Sequence, residues 1–101
     1  MYDYRLYQTP VGTSYCFRSF QEAMEHGLKR QDYVSVYADS IKANTIGIAL
    51  ETIWEIHNLD TRPSGNCFRS LSMSDVVTIN GIPYYCDKIG WSEIPVDRWR
   101  R

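Results

Sequence analysis

The chain has 101 residues, a length that corresponds to one domain with a modest hydrophobic core. Its apolar content of 44% is ordinary for a globular protein, so the core requires neither disulfides nor a structural metal. The formal net charge of −1 argues against a generally basic nucleic-acid-binding protein, although a local basic patch stays open.

The cysteines Cys16, Cys67 and Cys86 form an odd set without a C-x-x-C spacing. Such a set matches neither a disulfide framework nor a zinc site, and we expect three reduced thiols. The first residues lack the apolar stretch of a signal peptide, and no apolar run reaches the length of a membrane span. The sequence therefore predicts a cytoplasmic protein with no metal, no cofactor and no membrane partner.

The N-terminal part contains the patterns of a strand, a helix and a second strand. Residues 4–9 alternate as a strand does. Ser19, followed three residues later by Glu22, is a capping box that begins a helix, which we expect to end at His26. Residues 33–38 alternate again and predict a half-buried strand. Because a helix connects the two strands, a parallel arrangement with a right-handed crossover is one option.

Residues 46–57 predict a second helix, with Thr45 as its N-terminal cap. Gly47 lowers the stability of the first helical turn by about 1 kcal/mol relative to alanine. Apolar side chains recur at helical spacing and predict a core-facing stripe, formed by Ile46, Ala49, Leu50, Ile53, Trp54 and His57. Residues 58–66 have the composition of a loop.

The clearest local signal is a β-hairpin in the C-terminal third. Residues 76–79 and 82–86 have strand composition, and the Asn80-Gly81 pair between them suits a type I′ turn because both positions need positive φ. Residues 89–94 predict a turn and one more short strand. Residues 96–101 predict a mobile tail unless its tryptophan docks.

Together these elements predict a single α+β domain over residues 1–101, with the order β-α-β-α-β-β-β. We expect a small mixed sheet of four to five strands with both helices packed on one face. The sheet must bury one of its sides, so part of the tyrosine and tryptophan rings belongs to the core.

Several motifs resemble the YodL-like domain family over nearly the whole chain. They are Arg-Ser-Leu-Ser-Met-Ser-Asp-Val-Val at residues 69–77, Tyr-Tyr-Cys-Asp at residues 84–87, Gly-Trp at residues 90–91 and Tyr-Arg-Leu-Tyr-Gln at residues 4–8. The resemblance implies a small protein of conjugative elements and phages of Firmicutes, encoded near antirestriction-type or polyvalent proteins. It implies no established enzymatic activity and supplies no catalytic residues.

The serines Ser70, Ser72 and Ser74 lie at a spacing of two and would share one face of an extended segment, next to Asp75. One hypothesis is that this polar strip binds the backbone of a partner or a phosphate. The alternative is local: these side chains hydrogen-bond neighbouring amides and shape the entry into the hairpin.

The predicted function is a non-catalytic protein–protein interaction module from a mobile element or phage. It would act as a counter-defence or regulatory inhibitor that occludes an unidentified bacterial host protein. Tyrosine, tryptophan and arginine dominate interface anchors, so rings near the serine segment complete the candidate surface. The candidate partner-binding residues are Arg69, Ser70, Ser72, Ser74, Asp75, Tyr85 and Trp91.

Candidate catalytic groups are few. Asp75, Asp87 and Glu93 could converge at the hairpin ends, but no histidine is near them in sequence and their spacing matches no metal-binding loop. We expect His26 to interact with the end of the first helix and His57 to pack in the core. No G-x-S-x-G motif and no phosphate-binding glycine loop occurs, and the sequence predicts a non-enzyme.

The C-terminal tail supports the alternative function, a nucleic-acid-binding accessory domain. Positive charge and a stacking ring occur together in it, at Arg98, Trp99, Arg100 and Arg101. Terminal arginines are more often simply solvated, so the protein–protein hypothesis is favoured. Affinity that falls steeply with salt would distinguish phosphate contacts from protein contacts.

Overall fold

The computed structural model describes residues 1–10, 17–59, 61–63 and 69–100, and within these ranges it contains five strands and two α-helices. In chain order they are β1 (Tyr2–Gln8), α1 (Phe20–Glu25), β2 (Val34–Ile41), α2 (Ile46–Ile56), β3 (Val76–Ile79), β4 (Ile82–Cys86) and β5 (Trp91–Glu93). Short 3₁₀ helices lie at Arg30–Asp32 and Val96–Arg98. The α+β class and the predicted order of elements are confirmed, whereas Cys16, Cys67 and Arg101 lie outside the described residues.

The five strands form one antiparallel sheet in the order β2-β1-β3-β4-β5. β1 pairs with β2 from Tyr2 opposite Ile41 to Gln8 opposite Val34. The mixed sheet and the parallel option for these strands are therefore wrong. A parallel pair requires a long crossover, but a long connection does not require a parallel pair. The connection 9–33 contains a helix and still returns the chain in the opposite direction.

The hairpin prediction is confirmed, with Ile79 of β3 opposite Ile82 of β4. Asn80 and Gly81 have φ of 48° and 88°, the left-handed conformations that a two-residue hairpin turn favours. Asn80 also joins the turn to β1, because the Asp3 amide donates to its Oδ1 at 2.9 Å. The Asn80 amide donates in return to the Asp3 carbonyl at 2.8 Å.

The two helices pack on opposite faces of the sheet, which corrects the prediction that both cover one face. All four residues of β3 are buried, and successive side chains of a strand point to opposite faces. Val77 and Ile79 therefore belong to the core beneath α2, whereas Val76 belongs to the core beneath α1. A strand buried on both faces needs a helix on each side.

Helix α1 begins as predicted, with the Ser19 Oγ accepting from the Glu22 amide at 3.2 Å. Gly27 has φ of 77°, and the Leu28 amide donates to the Ala23 carbonyl at 2.9 Å. This is the glycine-bearing helix end that the sequence predicts. With only six residues, α1 is too short to cover the whole of its sheet face.

Helix α2 is capped by Thr45 as predicted, since the Thr45 Oγ1 accepts from the Ile48 amide at 3.1 Å. Trp54 departs from the predicted stripe and is 42% exposed. One residue advances a helix by about 100°, which turns Trp54 away from the sheet relative to Ile53. Neither helix in the described part of the chain is long and apolar enough to cross a lipid bilayer.

Trp99 docks on the α1 side of the sheet. Its ring centroid lies 5.2 Å from those of Tyr7 and Tyr33. The Arg30 guanidinium lies 5.8 Å from the centroid of the same indole. The Trp99 indole thus packs against the domain, which is the docking that the tail prediction allows as its exception, whereas Val96, Asp97 and Arg100 are exposed.

Candidate functional site

The hydroxyl-rich segment before β3 is folded into the domain and does not form an extended strip. Ser74 is buried with φ of 83°, and the Asp75 amide donates to the Ser72 carbonyl at 3.0 Å. The Ser74 Oγ accepts from the Phe17 amide at 3.0 Å, and the Ser72 Oγ donates to the Ser70 carbonyl at 3.2 Å. The Ser72 hydroxyl thus bonds locally, whereas the Ser74 hydroxyl joins this segment to residue 17, which is 57 positions away in sequence.

Asp75 is the centre of a buried hydrogen-bond network. Its carboxylate accepts from Gln8 Nε2 at 3.0 Å and from the Ser72 amide at 2.8 Å. Arg69 Nη1 lies 2.8 Å from the Asp75 Oδ1, and Arg69 Nη2 donates to the Thr9 carbonyl at 3.0 Å. The network therefore fastens this segment to the end of β1.

Burial dominates the electrostatics of Asp75. It raises the pKa of this carboxyl to about 6, and Arg69 and the hydrogen bonds oppose only part of the rise. Removing a carboxylate from water costs more free energy than one ion pair returns. A partner cannot reach Asp75, and its position indicates a structural role.

Tyr85 is likewise internal. Its ring is fully buried 5.5 Å from the ring of Phe20, and its hydroxyl donates to the Arg18 carbonyl at 2.7 Å. It therefore holds the start of α1 against the sheet. Three of the predicted partner-binding residues are buried and cannot contact a partner: Ser74, Asp75 and Tyr85. The others are partly exposed: Arg69, Ser70, Ser72 and Trp91.

Trp91 lines a cleft of about 220 Å³ between α2 and the β4–β5 connection. Glu51 and Trp54 form the α2 wall, and Trp91 belongs to the opposite wall with the turn that precedes it. The lining also includes Cys86, Asp87, Lys88 and Gly90. Two indoles at one cleft provide a large contact area at a small loss of conformational entropy.

The turn beside this cleft is held by hydrogen bonds and exposes an apolar side chain. The Asp87 amide donates to the Gly90 carbonyl at 3.0 Å. The Asp87 carboxylate accepts from the Lys88 amide at 2.7 Å and from the Ser92 Oγ at 2.9 Å. Ile89, at the tip, is 93% exposed. We call Trp54, Ile89 and Trp91 the tryptophan surface.

The acids considered for catalysis do not converge on one site. Asp75 is enclosed in its own network, Asp87 accepts from the Phe20 amide at 3.0 Å as well as from its turn, and Glu93 is exposed on β5. In the ranges that the structure describes, no three His, Cys, Asp or Glu side chains are placed to hold a metal ion.

His57 is fully buried, and the Tyr4 hydroxyl lies 3.1 Å from its Nε2. Burial lowers the pKa of His57 and raises that of Tyr4, so both side chains are neutral at neutral pH. Neither residue lines the cleft. The geometry agrees with the packing role that the sequence predicts for His57.

The described residues of the basic tail, 98–100, differ in their contacts and in their exposure. The Trp99 indole lies among Tyr7, Tyr33 and Arg30, which leaves it poorly placed to stack on a base. Arg98 Nη2 donates to the Met24 carbonyl at 3.5 Å, and Arg100 is exposed. Arg101 lies outside the described residues.

Two members of the tryptophan surface are not identified by the sequence analysis. The helical spacing of Trp54 predicts a place in the core stripe, and Ile89 belongs to the predicted turn and strand at residues 89–94. The sequence signal for Ile89 is its position between Lys88 and Gly90. A large aliphatic side chain in a turn of this kind points away from the sheet and is a candidate for an exposed apolar contact.

A family model described as "YodL-like domain" matches residues 3–96 of this chain. The match includes both helices and the five strands except Tyr2, the first residue of β1. Searches of curated proteins and of solved structures returned no match.

Proposed function

The chain belongs to the YodL-like domain family, and we propose that it is a non-catalytic protein–protein interaction module. The observation that carries the proposal is Ile89, which is 93% exposed at the tip of a hydrogen-bonded turn. It lies next to a cleft lined by Trp54 and Trp91. Exposed apolar side chains grouped around tryptophans are typical of interface anchors. The tryptophan surface is the proposed contact with the partner.

The geometry of the turn favours binding. The hydrogen bonds of Asp87 restrict the turn before a partner arrives, so little backbone entropy remains to be lost. Burying one isoleucine side chain contributes about 2 kcal/mol. Adjacent indoles add area at the centre of the contact, where most of the binding energy is found.

In the proposed role a mobile element or phage encodes the protein, which acts in the cytoplasm of a bacterium. It binds a host protein and occludes a functional surface of that protein, as a counter-defence factor or a regulatory inhibitor. The resemblance of the sequence motifs to the family implies this setting. The odd set of cysteines without a disulfide or zinc pattern supports a reducing compartment.

Affinity capture from a bacterial lysate tests the proposal, with the wild-type chain, Ile89→Asp and Trp54→Ala compared side by side. A charge at the turn tip or loss of one indole should reduce capture of the specific partner at least about tenfold. Val34→Asp is the matched control. It places the same charge on an exposed aliphatic side chain of β2, the opposite edge strand, and should retain the partner.

Equal capture by all four proteins, after circular dichroism shows them folded, contradicts the proposal. Binding of nucleic acid that weakens steeply with salt, and that Arg98→Ala and Arg100→Ala reduce, would instead support the alternative function.

A further inference from the structure

The cleft of the tryptophan surface has a size that suits one side chain of a partner. Its volume is about 220 Å³. Sites that enclose a whole small molecule usually have a volume of about 300–1,000 Å³. Trp54 on α2 and Trp91 on β5 both line the cleft, so a side chain that enters it meets two indoles.

Both indoles are available to a cation. Trp54 is 42% exposed, and Trp91 is partly exposed. Among the residues that the structure describes, no aromatic ring or guanidinium stacks on either indole. Trp99 differs, because the Arg30 guanidinium lies 5.8 Å from its ring centroid. Tryptophan attracts cations more strongly than the other aromatic side chains do, so the cleft offers two unoccupied indoles to a positive charge.

The side chains that line the cleft have a net negative charge. Two carboxylates, Glu51 and Asp87, and one ammonium, Lys88, are among them. The Asp87 carboxylate already accepts from the Lys88 amide and the Ser92 hydroxyl, and its charge offsets that of Lys88. Glu51 is exposed, and its carboxylate has no hydrogen bond or ion pair within the described ranges. The charge without a counterpart in the cleft is therefore the negative charge of Glu51.

The two elements beside the cleft extend this negative charge. Glu55 on α2 and Glu93 on β5 are also exposed. Neither element contains a lysine or an arginine. The whole chain has a net charge of only −1, so negative charge is concentrated at this surface. Such a surface attracts a positively charged group and repels a nucleic-acid backbone.

On the basis of the proposed function, we propose that the partner inserts an arginine side chain into this cleft. Its guanidinium stacks on the indoles of Trp54 and Trp91 and pairs with the Glu51 carboxylate. A planar guanidinium stacks on an aromatic face while its N–H groups bind a carboxylate. An apolar side chain would fill the same space but would remove Glu51 from water without giving its charge a partner, which costs free energy.

An NMR titration of the full chain with the capped tripeptide Ala-Arg-Ala tests the proposal. Saturable shifts are expected at the indole N–H groups of Trp54 and Trp91, with a dissociation constant on the order of 10 mM. The same peptide with citrulline in place of arginine has nearly the same shape and no charge. It should bind at least about threefold more weakly, because it lacks both the cation–π attraction and the ion pair.

Two substitutions on α2 provide a matched comparison. Glu51→Gln should weaken the binding of Ala-Arg-Ala about threefold, because it removes the paired carboxylate and keeps the size of the side chain. Glu55→Gln removes the same charge one helical turn away, outside the cleft lining, and should change the affinity by less than about 1.5-fold. Both positions are exposed, so both variants should fold, and their amide spectra show whether they do.

Three results would overturn the proposal. The first is equal affinity for the arginine and citrulline peptides, which would show that the charge does not contribute. The second is an equal loss of affinity in Glu51→Gln and Glu55→Gln, which would indicate a general charge effect. The third is tighter binding of capped Ala-Leu-Ala at the same indoles, which would assign the cleft to an apolar side chain.

Lysate capture separates a failure of this proposal from a failure of the proposed function. If Ile89→Asp loses the partner and Glu51→Gln retains all of it, the tryptophan surface is an interface but the arginine contact is wrong. If no variant and no wild-type chain captures a partner, the proposed function fails. In that case a saturable, charge-dependent titration with Ala-Arg-Ala still supports the cleft as a site for a guanidinium.

Discussion

Arg69 and Asp75 form an ion pair in which only the arginine reaches solvent. Nη1 lies 2.8 Å from Oδ1, with the arginine side chain 24% exposed and the aspartate side chain 0% exposed. The pair lies in the same run of residues that carries the family resemblance. That run joins the entry of β3 to the end of β1, and the buried Asp75 carboxylate is the acceptor through which Gln8 and Arg69 make this connection.

Asp75→Asn should change how stability depends on pH. Burial raises the pKa of Asp75 from 3.8 to about 6, so between these values the folded chain binds more protons than the unfolded chain. The free energy of unfolding therefore falls as pH rises through this window. A rise of two pKa units corresponds to about 3 kcal/mol. Urea unfolding of wild type and variant between about pH 4 and 7 measures the difference.

The matched control is Asp97→Asn, which changes an exposed aspartate in the second 3₁₀ helix. In this variant the free energy of unfolding should vary with pH as it does in the wild type. In Asp75→Asn the part of that variation caused by the buried carboxyl should be lost. If the free energy of unfolding varied with pH in the same way in the wild type and in Asp75→Asn, the pKa of Asp75 would be equal in the folded and unfolded chains. That result would contradict the prediction.

Two glycine-to-alanine substitutions should change the free energy of unfolding in opposite directions. Gly81 has φ of 88°, and an added Cβ there meets nothing within 4 Å, so Gly81→Ala costs about 1 kcal/mol through backbone strain alone. Gly47 lies in α2, where the added Cβ meets only the Thr45 Oγ1 at 3.9 Å. Gly47→Ala should stabilise by up to about 1 kcal/mol. Urea midpoints measure both, and a shift of the same sign in both would contradict the assignment of the turn.

Trp99→Ala should lower the free energy of unfolding by about 2 kcal/mol. The expected cost is below that of a fully buried tryptophan because the ring is only partly covered. Arg100→Ala, at an exposed neighbouring position, should change stability by less than about 0.5 kcal/mol. Unchanged stability in Trp99→Ala, measured by thermal or urea unfolding, would mean that the tail is not docked in solution.

The Cys86 thiol should be unreactive in the folded protein. Burial raises its pKa to about 12, so the nucleophilic thiolate is scarce as well as inaccessible. A chain carrying Cys16→Ser and Cys67→Ser isolates this thiol. We expect it to react with a colorimetric disulfide reagent only after urea unfolds the chain. Rapid labelling without denaturant would show that the α2 side of the sheet opens readily.

The features that depend on neighbouring residues could be predicted from their order in the chain. Asn80-Gly81 specifies a hairpin, because few residue pairs tolerate two left-handed positions in a row. Ser19 and Thr45 specify helix starts, because each hydroxyl accepts from an amide three residues ahead. Such interactions close within a few residues and can be inferred from their order.

The relative positions of these elements could not be predicted in the same way. The direction of β2, the placement of the helices on opposite faces and the burial of Asp75 result from contacts between distant residues. The exposure of Trp54 depends on the rotational position of α2 on the sheet. Local pattern shows that a residue is polar or apolar, but burial is a property of the assembled layers. The tryptophan surface arises at that level.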